Sequence, residues 1–512
     1  MINDVVIAGG GPNGLMLACE LGLAGVRSTV LEELPGARAE SRANGLVGQV
    51  IQMIDRRGLY ERITGSAEPP VPQPAYVFGA MLLDLTELDD NHLYMLPVPQ
   101  ARLVELLAEQ AVELGVEIRR GHRLADLSQD PDAVTAVVEG LEGRYEIRSR
   151  YLVGADGAHS QTRKRSGIDF PGVTTDSMVE RTVNAVLPPE WIDTETRTVN
   201  IPGYGPVPLM LHHRSESGMF AYAPIPGRPP LVATFEHGIP EDTETPLTME
   251  EMQQSIQRVL GVEMTLTPPP GEGPFLMRRR IGTSTRIADR FRDRRVLLLG
   301  DSAHVHSSIG GPGLNLGLQD TVNLGWKLAA VVRGEVGEDL LDTYEAERRP
   351  AADRVVMHTQ AQSALSAPGP EVTALRVIFG EMLNDPRNVA RVADTIAGAD
   401  IRYEAGEHPL VGVFAPDLDL YTDSGQVRLA QLTRDARPLL LDLTEEGLTV
   451  DGVTVDGPWK YVRAKAEGAP ATALLLRPDT HVAWATSAER PDAEEIRGLR
   501  EIAERWFGRS AN

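Results

Sequence analysis

The chain has 512 residues, a formal net charge of −23, a pI near 5 and one cysteine, Cys19. At about 150 residues per domain it has room for two to four units, whose cores need no disulfide or metal staple. The acidic balance argues against a nucleic-acid partner, the lone cysteine excludes an internal disulfide and a thiolate metal cluster, and no apolar run approaches the ~20 residues of a membrane span.

The amino terminus enters a strand directly, with no basic-then-apolar leader, so a cytoplasmic enzyme is expected. Residues 4–8, Asp-Val-Val-Ile-Ala, form a short apolar run of the kind a buried parallel strand shows. Gly9-Gly10-Gly11-Pro12-Asn13-Gly14 follows, and Leu15, Ala18, Leu21 and Leu23 then recur on a helical period. Ser28 to Leu31 is a second strand that ends at Glu32 and Glu33. This is a strand–glycine turn–helix–strand–acid unit. Gly9 allows the tight turn, Gly11 lets backbone approach a pyrophosphate, and Gly14 lets helix and strand pack closely. The helix amino terminus offers N–H groups to the anion, and Glu32 can bind ribose hydroxyls. At this point NAD and FAD are both open. Cys19 lies on the apolar helix, where a buried, inert thiol is the expected reading.

A helix is expected over 102–114, with Leu103, Leu106, Leu107, Ala111 and Leu114 as its apolar stripe. Tyr151 to Asp156 is a strand ending in Asp156-Gly157. From 171 to 274 proline and glycine punctuate short β-type runs, which predicts an antiparallel sheet inserted into the first domain. Residues 76–97 are expected to add strands to it. Met210, His212, Tyr222 and Phe235 are candidates for a substrate pocket there, with core packing the plainer reading. Arg278, Arg279, Arg280, Arg286, Arg290 and Arg292 form a basic run, read as a solvated strand edge or as contacts to nucleotide phosphates.

Residues 295–299 return to a buried strand that runs into Gly300-Asp301. Gly310-Gly311-Pro312-Gly313-Leu314-Asn315 then opens a long helix over about 313–332. Its free N–H groups can face a second electron-rich group. His304 and His306 lack the carboxylates or cysteines of a metal site, so no metal is expected. A Pro-rich junction near 408–416 precedes a last unit with strands at 438–443, 471–476 and 481–485 and a helix over 492–506. That unit contains no C-x-x-C, which leaves it a packing or interface role.

As a set, these motifs resemble the class A flavoprotein monooxygenases, the aromatic-hydroxylase family. The resemblance rests on the first glycine turn, Asp156-Gly157, Gly300-Asp301-Ser302-Ala303-His304 and Asn315-Leu316-Gly317-Leu318-Gln319-Asp320. It continues through Trp326-Lys327-Leu328 and Glu345-Ala346-Glu347-Arg348-Arg349-Pro350, and covers about residues 1–400. The tail resembles the thioredoxin-like extension of the polyketide and phenol hydroxylases. The resemblance implies an α/β fold: a glutathione-reductase-type FAD domain (1–170 and 286–400), an inserted β-rich substrate domain (171–285) and a thioredoxin-like C-terminal domain (401–512).

It also implies FAD, NADPH or NADH as reductant, and O2. An aromatic phenol or polyketide would be hydroxylated through a flavin C4a-hydroperoxide. Baeyer–Villiger oxidation, epoxidation, or flavin binding without oxygenation remain alternatives, and the chain is expected as a monomer or homodimer. By the same resemblance Asp301 binds the ribityl chain, and Arg42 and Gln100 contact the pyrophosphate or ribityl region. Asp156 tethers the pyrophosphate loop in a motif also linked to NADPH. Gly313, Leu314 and Asn315 present N–H groups to the flavin N1–C2=O edge. Pro12, Asn13, Glu33 and Gly300 complete the cofactor set. This chain departs from the pattern at Ser307 and Ser308, where the family usually carries proline, which leaves the backbone path there open.

Overall fold

The computed structural model describes residues 3–36, 43–225, 228–238, 245–450, 453–454 and 456–508; Arg42 lies outside them. The main sheet has the order Arg292–Asp293, Val296–Leu298, Gly143–Gly154, Asn3–Ala8, Ser28–Glu32, Glu117–Arg120. Asn3–Ala8 runs parallel to both of its neighbours, and Val5, Val6 and Ile7 are fully buried, as its unbroken apolar run requires. Arg123–Gln129 and Val134–Gly140 extend Gly143–Gly154 as an antiparallel meander.

Helix Pro12–Leu23 packs against the sheet with Leu15, Leu17, Ala18 and Leu21 buried. Cys19 is buried among them, and burial, with Glu20 adding, pushes its thiol up to about 12, so it stays protonated and inert. The long helix is Pro312–Arg333. It crosses Pro12–Leu23 closely because it carries Gly317 and Gly325 there: a Cβ on Gly317 would lie 2.2 Å from Asn13 Nδ2, and one on Gly325 2.6 Å from Glu20 Cβ. The helix expected over 102–114 is Gln100–Glu113, with Leu103, Leu106, Leu107 and Ala111 buried.

The inserted sheet is antiparallel, in the order His212–Arg214, Gly218–Ala223, Leu231–His237, Gly172–Asn184, Met277–Ile287, His304–Val305. Helix Met249–Leu260 covers one face, and Val232, Thr234 and Glu236 are buried on that side. The Arg181 guanidinium, fully buried there, is paired with Glu236 at 2.6 Å and Glu251 at 2.9 Å.

Residues 76–97 do not join this sheet. Ala75–Phe78 and Met81–Asp84 pair with each other, and Met95–Pro97 pairs with Gly45–Val47. Phe78, Leu83, Leu85 and Leu93 instead find cover against Leu365, Val389 and Ile396 on the helices after residue 342.

The C-terminal sheet has the order Lys460–Arg463, Leu439–Asp442, Ala473–Leu476, Val482–Thr486. The first two strands are parallel and the other pairings antiparallel, followed by helix Ala493–Phe507. Numbered along the chain the order is 2-1-3-4, which is consistent with a thioredoxin-like sheet. Leu440, Leu475, Trp506 and Phe507 belong to the same apolar core as the first strand and the long helix, whereas Leu439, Leu441 and Leu474 form a separate core. The unit is therefore fused to the main body through one face. Among the described residues no helix is long and apolar enough to cross a membrane.

Candidate active site

The first glycine turn separates packing from openness. Gly9 has φ +112°, and a Cβ there would lie 2.3 Å from the Ala155 carbonyl oxygen. A Cβ on Gly14 would lie 1.9 Å from the Gly9 carbonyl oxygen. Both positions need glycine for the fold itself. Gly11 differs: its backbone is extended (φ −74°, ψ −179°), and a Cβ would meet nothing within 4 Å. The turn thus leaves an open cradle at the amino end of a helix with no side-chain cap, which is the shape a pyrophosphate takes. Pro12 begins that helix, where its missing N–H costs nothing.

Glu32 reaches back over the turn. Its carboxylate accepts from the N–H of Gly10 at 2.8 Å and of Leu34 at 2.8 Å. Glu33 points away; its side chain is 70% exposed and 3.9 Å from Arg123.

Asn13 wedges between the two halves of the site. A Cβ on Gly300 (φ +57°) would lie 2.1 Å from Asn13 Nδ2, so Gly300 and Gly317 both make room for this one side chain. Its buried Oδ1 has no hydrogen-bond partner among the described residues.

Asp156 is a tether. It accepts from Ser160 Oγ at 2.5 Å, Thr162 N and Oγ1 at 3.0 Å, and Ser302 Oγ at 3.1 Å. This ties its own turn to the Gly300–Ser302 turn, where Asp301 is exposed. Gln100 starts its helix, and its N–H donates to the Ala43 carbonyl at 3.0 Å.

The long helix begins at Pro312 behind Gly311 (φ +68°), again with no side-chain cap. The N–H groups of Gly313 and Leu314 precede the first intrahelical bond. The Asn315 side chain closes the loop: Oδ1 accepts from Val47 N at 3.2 Å, and Nδ2 donates to the Gly311 carbonyl at 3.2 Å.

The loop needs no proline at 307 and 308. His306 Nδ1 donates to the Ser307 carbonyl at 2.9 Å, and Gly311 N donates to the Ser308 carbonyl at 2.9 Å. Burial pushes His306 down to about 4, so it is neutral near pH 7. Among the described residues no group of three or more His, Cys, Asp or Glu is placed to hold a metal.

The four pocket candidates separate. His212 and Phe235 share a sheet face, with ring centroids 5.1 Å apart. Tyr222 has the opposite strand parity and lies in the core beneath helix Met249–Leu260, so it is not a pocket residue. Met210 sits at a turn with φ +66° and is 47% exposed.

At Arg278–Arg280 the strand Met277–Ile287 pairs on one side only, with Gly172–Asn184, and gains its second neighbour, His304–Val305, at Arg286 and Ile287; the arginines of this edge have protein partners. Arg279 pairs with Glu251 at 2.6 Å, and Arg278 and Arg280 flank Glu180 at 3.8 and 3.9 Å. Arg286 donates to the Phe170 carbonyl, Arg290 to Asp289, and Arg292 to Asp342. Cross-strand register places Glu180 and Arg280 on the face that carries Phe235. Alternation within the Arg278–Arg280 run was the signal for this.

A buried charged network lies behind the site and joins Asp320, Lys327, Glu347 and Arg348 of the family motifs to residues outside them. Asp320 accepts from Arg348 Nε at 2.7 Å, holds His304 Nε2 at 2.7 Å and accepts from Gly300 N at 3.2 Å. Glu347 accepts from Lys327 at 2.7 Å, Asn323 at 2.6 Å and both ends of Arg477 at 2.7 and 2.9 Å. Arg477 also pairs with Asp479, which accepts from Trp326 Nε1 at 3.0 Å.

Burial alone would raise the Glu347 carboxyl; Arg477 and Lys327 outweigh it and hold it at about 2. Asp320, where burial also pushes upward, is held below the usual range by His304 and Arg348. The ordinary Glu value is 4.5. Between that and about 2 the unfolded chain binds more protons than the folded one. Stability is therefore complete above the window and is lost as pH falls through it, by on the order of 3 kcal/mol for Glu347. Melting curves taken at falling pH should show the loss beginning below about 4.5; a melting temperature flat through that range would contradict ionised pairing.

A glycine cradle at one uncapped helix, an acid at the second strand, and a second uncapped helix reached by a Gly-Asp turn define an FAD-binding protein of the glutathione-reductase type. The profile of the FAD binding domain family matches residues 3–359, and that of the aromatic-ring hydroxylase C-terminal domain matches residues 408–510. The chain belongs to the FAD-dependent aromatic-ring hydroxylase family and is an FAD-dependent monooxygenase. It is 39% identical over 521 residues to a 12-dehydrotetracycline 5-monooxygenase/anhydrotetracycline 6-monooxygenase of Streptomyces rimosus, covering 99% of each chain. The solved structure of the anhydrotetracycline hydroxylase OxyS from Streptomyces rimosus superposes with a TM-score of 0.84 at 36% identity, covering 100% of both chains. A dialkyldecalin synthase of Streptomyces rugosporus is 33% identical over 513 residues, covering 100% of each chain.

Proposed function

We propose that the chain transfers one oxygen atom of O2 to a phenolic ring of a polycyclic, polyketide-type substrate, with NADPH or NADH as reductant. One observation carries this reading. The loop leading into the uncapped Gly313–Leu314 turn contains His304–Val305, which is also the edge strand of the six-stranded sheet. Cofactor loop and substrate sheet are thus one continuous piece of backbone.

When bound, FAD supplies hydride acceptance and activation of O2. The protein's part is to bind, orient and exclude water. The open cradle at Gly11 would hold the pyrophosphate, Glu32 the ribose and Asp301 the ribityl chain. The N–H groups of Gly313 and Leu314, at the positive end of the helix, would favour negative charge on the N1–C2=O edge. Asn13, Asp156 and Asn315 hold these turns in register rather than touching the reacting atoms. His212 and Phe235 would line the substrate side, with Glu180 and Arg280 on the same face. We assign the FAD domain to 1–170 and 286–400, the substrate domain to 171–285 and the C-terminal unit to 401–512. The reading is of a cytoplasmic protein, monomer or homodimer.

The test is NAD(P)H consumption by purified yellow protein across monocyclic phenols, naphthoquinones and tetracyclic phenols. Stimulation by the polycyclic members, with a hydroxylated product, is expected. A lactone or epoxide product would select the Baeyer–Villiger or epoxidising alternative, and stimulation by monocyclic phenols alone would contradict the substrate class.

A further inference from the structure

The buried network has a direction. Gly300 N and His304 bond to Asp320, Asp320 to Arg348, and Arg348 NH1 donates to the hydroxyl of Tyr403 at 3.0 Å. Tyr403 lies past the helices of the FAD domain and is held by the C-terminal unit. Its N–H donates to the Gly412 carbonyl at 3.0 Å, its ring stacks on His481 with centroids 4.1 Å apart, and the Arg477 guanidinium lies 5.2 Å from its centroid. Arg477 in turn grips Glu347, the residue before Arg348 on the same helix.

We propose that Tyr403 is a positioning residue that sets the Gly300–Asp301 turn through Arg348 and Asp320, so that the C-terminal unit determines how tightly FAD is held. The inference rests on the flavin's ribityl chain lying at Asp301.

The physical argument concerns the Arg348 fork. Arg348 is 1% exposed, and its Nε is committed to Asp320. Among the described residues its NH2 makes long contacts, 3.3 Å to the Leu316 carbonyl and 3.3 Å to Gln319 Oε1. Removing the Tyr403 hydroxyl leaves NH1 a buried charged donor without that acceptor, a state that favours rotation of the planar fork. Rotation moves Nε relative to Asp320. The same Asp320 oxygen that accepts from Gly300 N also holds His304, so the turn carrying Asp301 follows. A network that only stabilised the fold would lower the melting temperature without selecting the flavin.

Tyr403→Phe keeps the ring stack and removes one hydroxyl. It should weaken the FAD dissociation constant about three- to tenfold, less than the tenfold or more of a full hydrogen bond to a charged group because the loss reaches the flavin only through the turn. Asp301→Ala alone should weaken it about ten- to a hundredfold. Because Tyr403 acts through the turn, adding Tyr403→Phe to Asp301→Ala should produce little further loss of affinity. Arg348→Lys, which keeps the charge but cannot bridge Asp320 and Tyr403 with one planar fork, should show the same non-additivity. Additive losses in both double variants, or an unchanged dissociation constant in Tyr403→Phe beside a lowered melting temperature, would overturn the inference. An unchanged dissociation constant in Asp301→Ala would overturn the placement of the flavin itself.

Discussion

Gly11→Val yields a folded but colourless protein. The backbone at Gly11 is extended, with φ −74°, so valine introduces no left-handed strain. Its Cβ meets no protein atom within 4 Å, so the fold accommodates it. The only space it can fill is the cradle at the helix end. Pyrophosphate would otherwise bring its oxygens against that backbone. A loss of FAD affinity of at least about a hundredfold is expected from steric exclusion together with lost anion contacts at the helix terminus. Circular dichroism and the melting temperature of the apoprotein should match unliganded wild type. The contrast is Gly14→Val, whose Cβ would lie 1.9 Å from the Gly9 carbonyl and should cost the fold. A yellow Gly11→Val protein with wild-type flavin content would refute the placement of the cofactor.

Arg477→Ala has the larger effect on stability. Its side chain is 3% exposed and lies against the rings of Trp326 at 5.2 Å and Trp506 at 4.6 Å. It answers two buried carboxylates, Glu347 and Asp479. Truncation removes packing from these two rings and from that of Tyr403, and leaves those carboxylates with too little positive charge; among the described residues Lys327 remains as the cation at Glu347. Breaking a buried pair from one side costs about 3–5 kcal/mol. The apparent melting temperature should fall by about 3–5 °C if the chain melts as one unit, and by more if the C-terminal unit melts separately. Arg477→Ala melting within a degree or two of wild type would show that the C-terminal unit is not locked to the FAD domain in this way.

The parts of the fold legible in the sequence were those where one local pattern has one structural solution. The apolar run at 4–8, the glycine turn and the amphipathic stripe from Leu103 to Ala111 each form the expected element. The Ala75–Asp84 hairpin was misplaced because strand pairing is a long-range choice: its apolar residues could be covered by a sheet or by helices, and the helices carrying Leu365 and Val389 supply the cover. Tyr222 and Phe235 look alike as isolated aromatics. Only cross-strand register shows that one faces the core and the other the opposite side. Lys460–Arg463 escaped notice because four mixed residues carry no strand period. The site divided in the same way. Backbone features announced by glycine were readable, whereas the network of Asp320, Glu347, Arg348 and Arg477 joins residues up to 130 positions apart and exists only in three dimensions.

The most direct test of the central claim is the fate of isotopically labelled O2. Purified holoprotein, reduced nicotinamide and a polycyclic phenol that stimulates its consumption are incubated under the labelled gas, and the product is analysed by mass spectrometry. A monooxygenase places one of the two oxygen atoms in the product and releases the other as water. The account predicts a product heavier by a single labelled oxygen. Label entering only from water, or a rearranged product with no added oxygen, would contradict it.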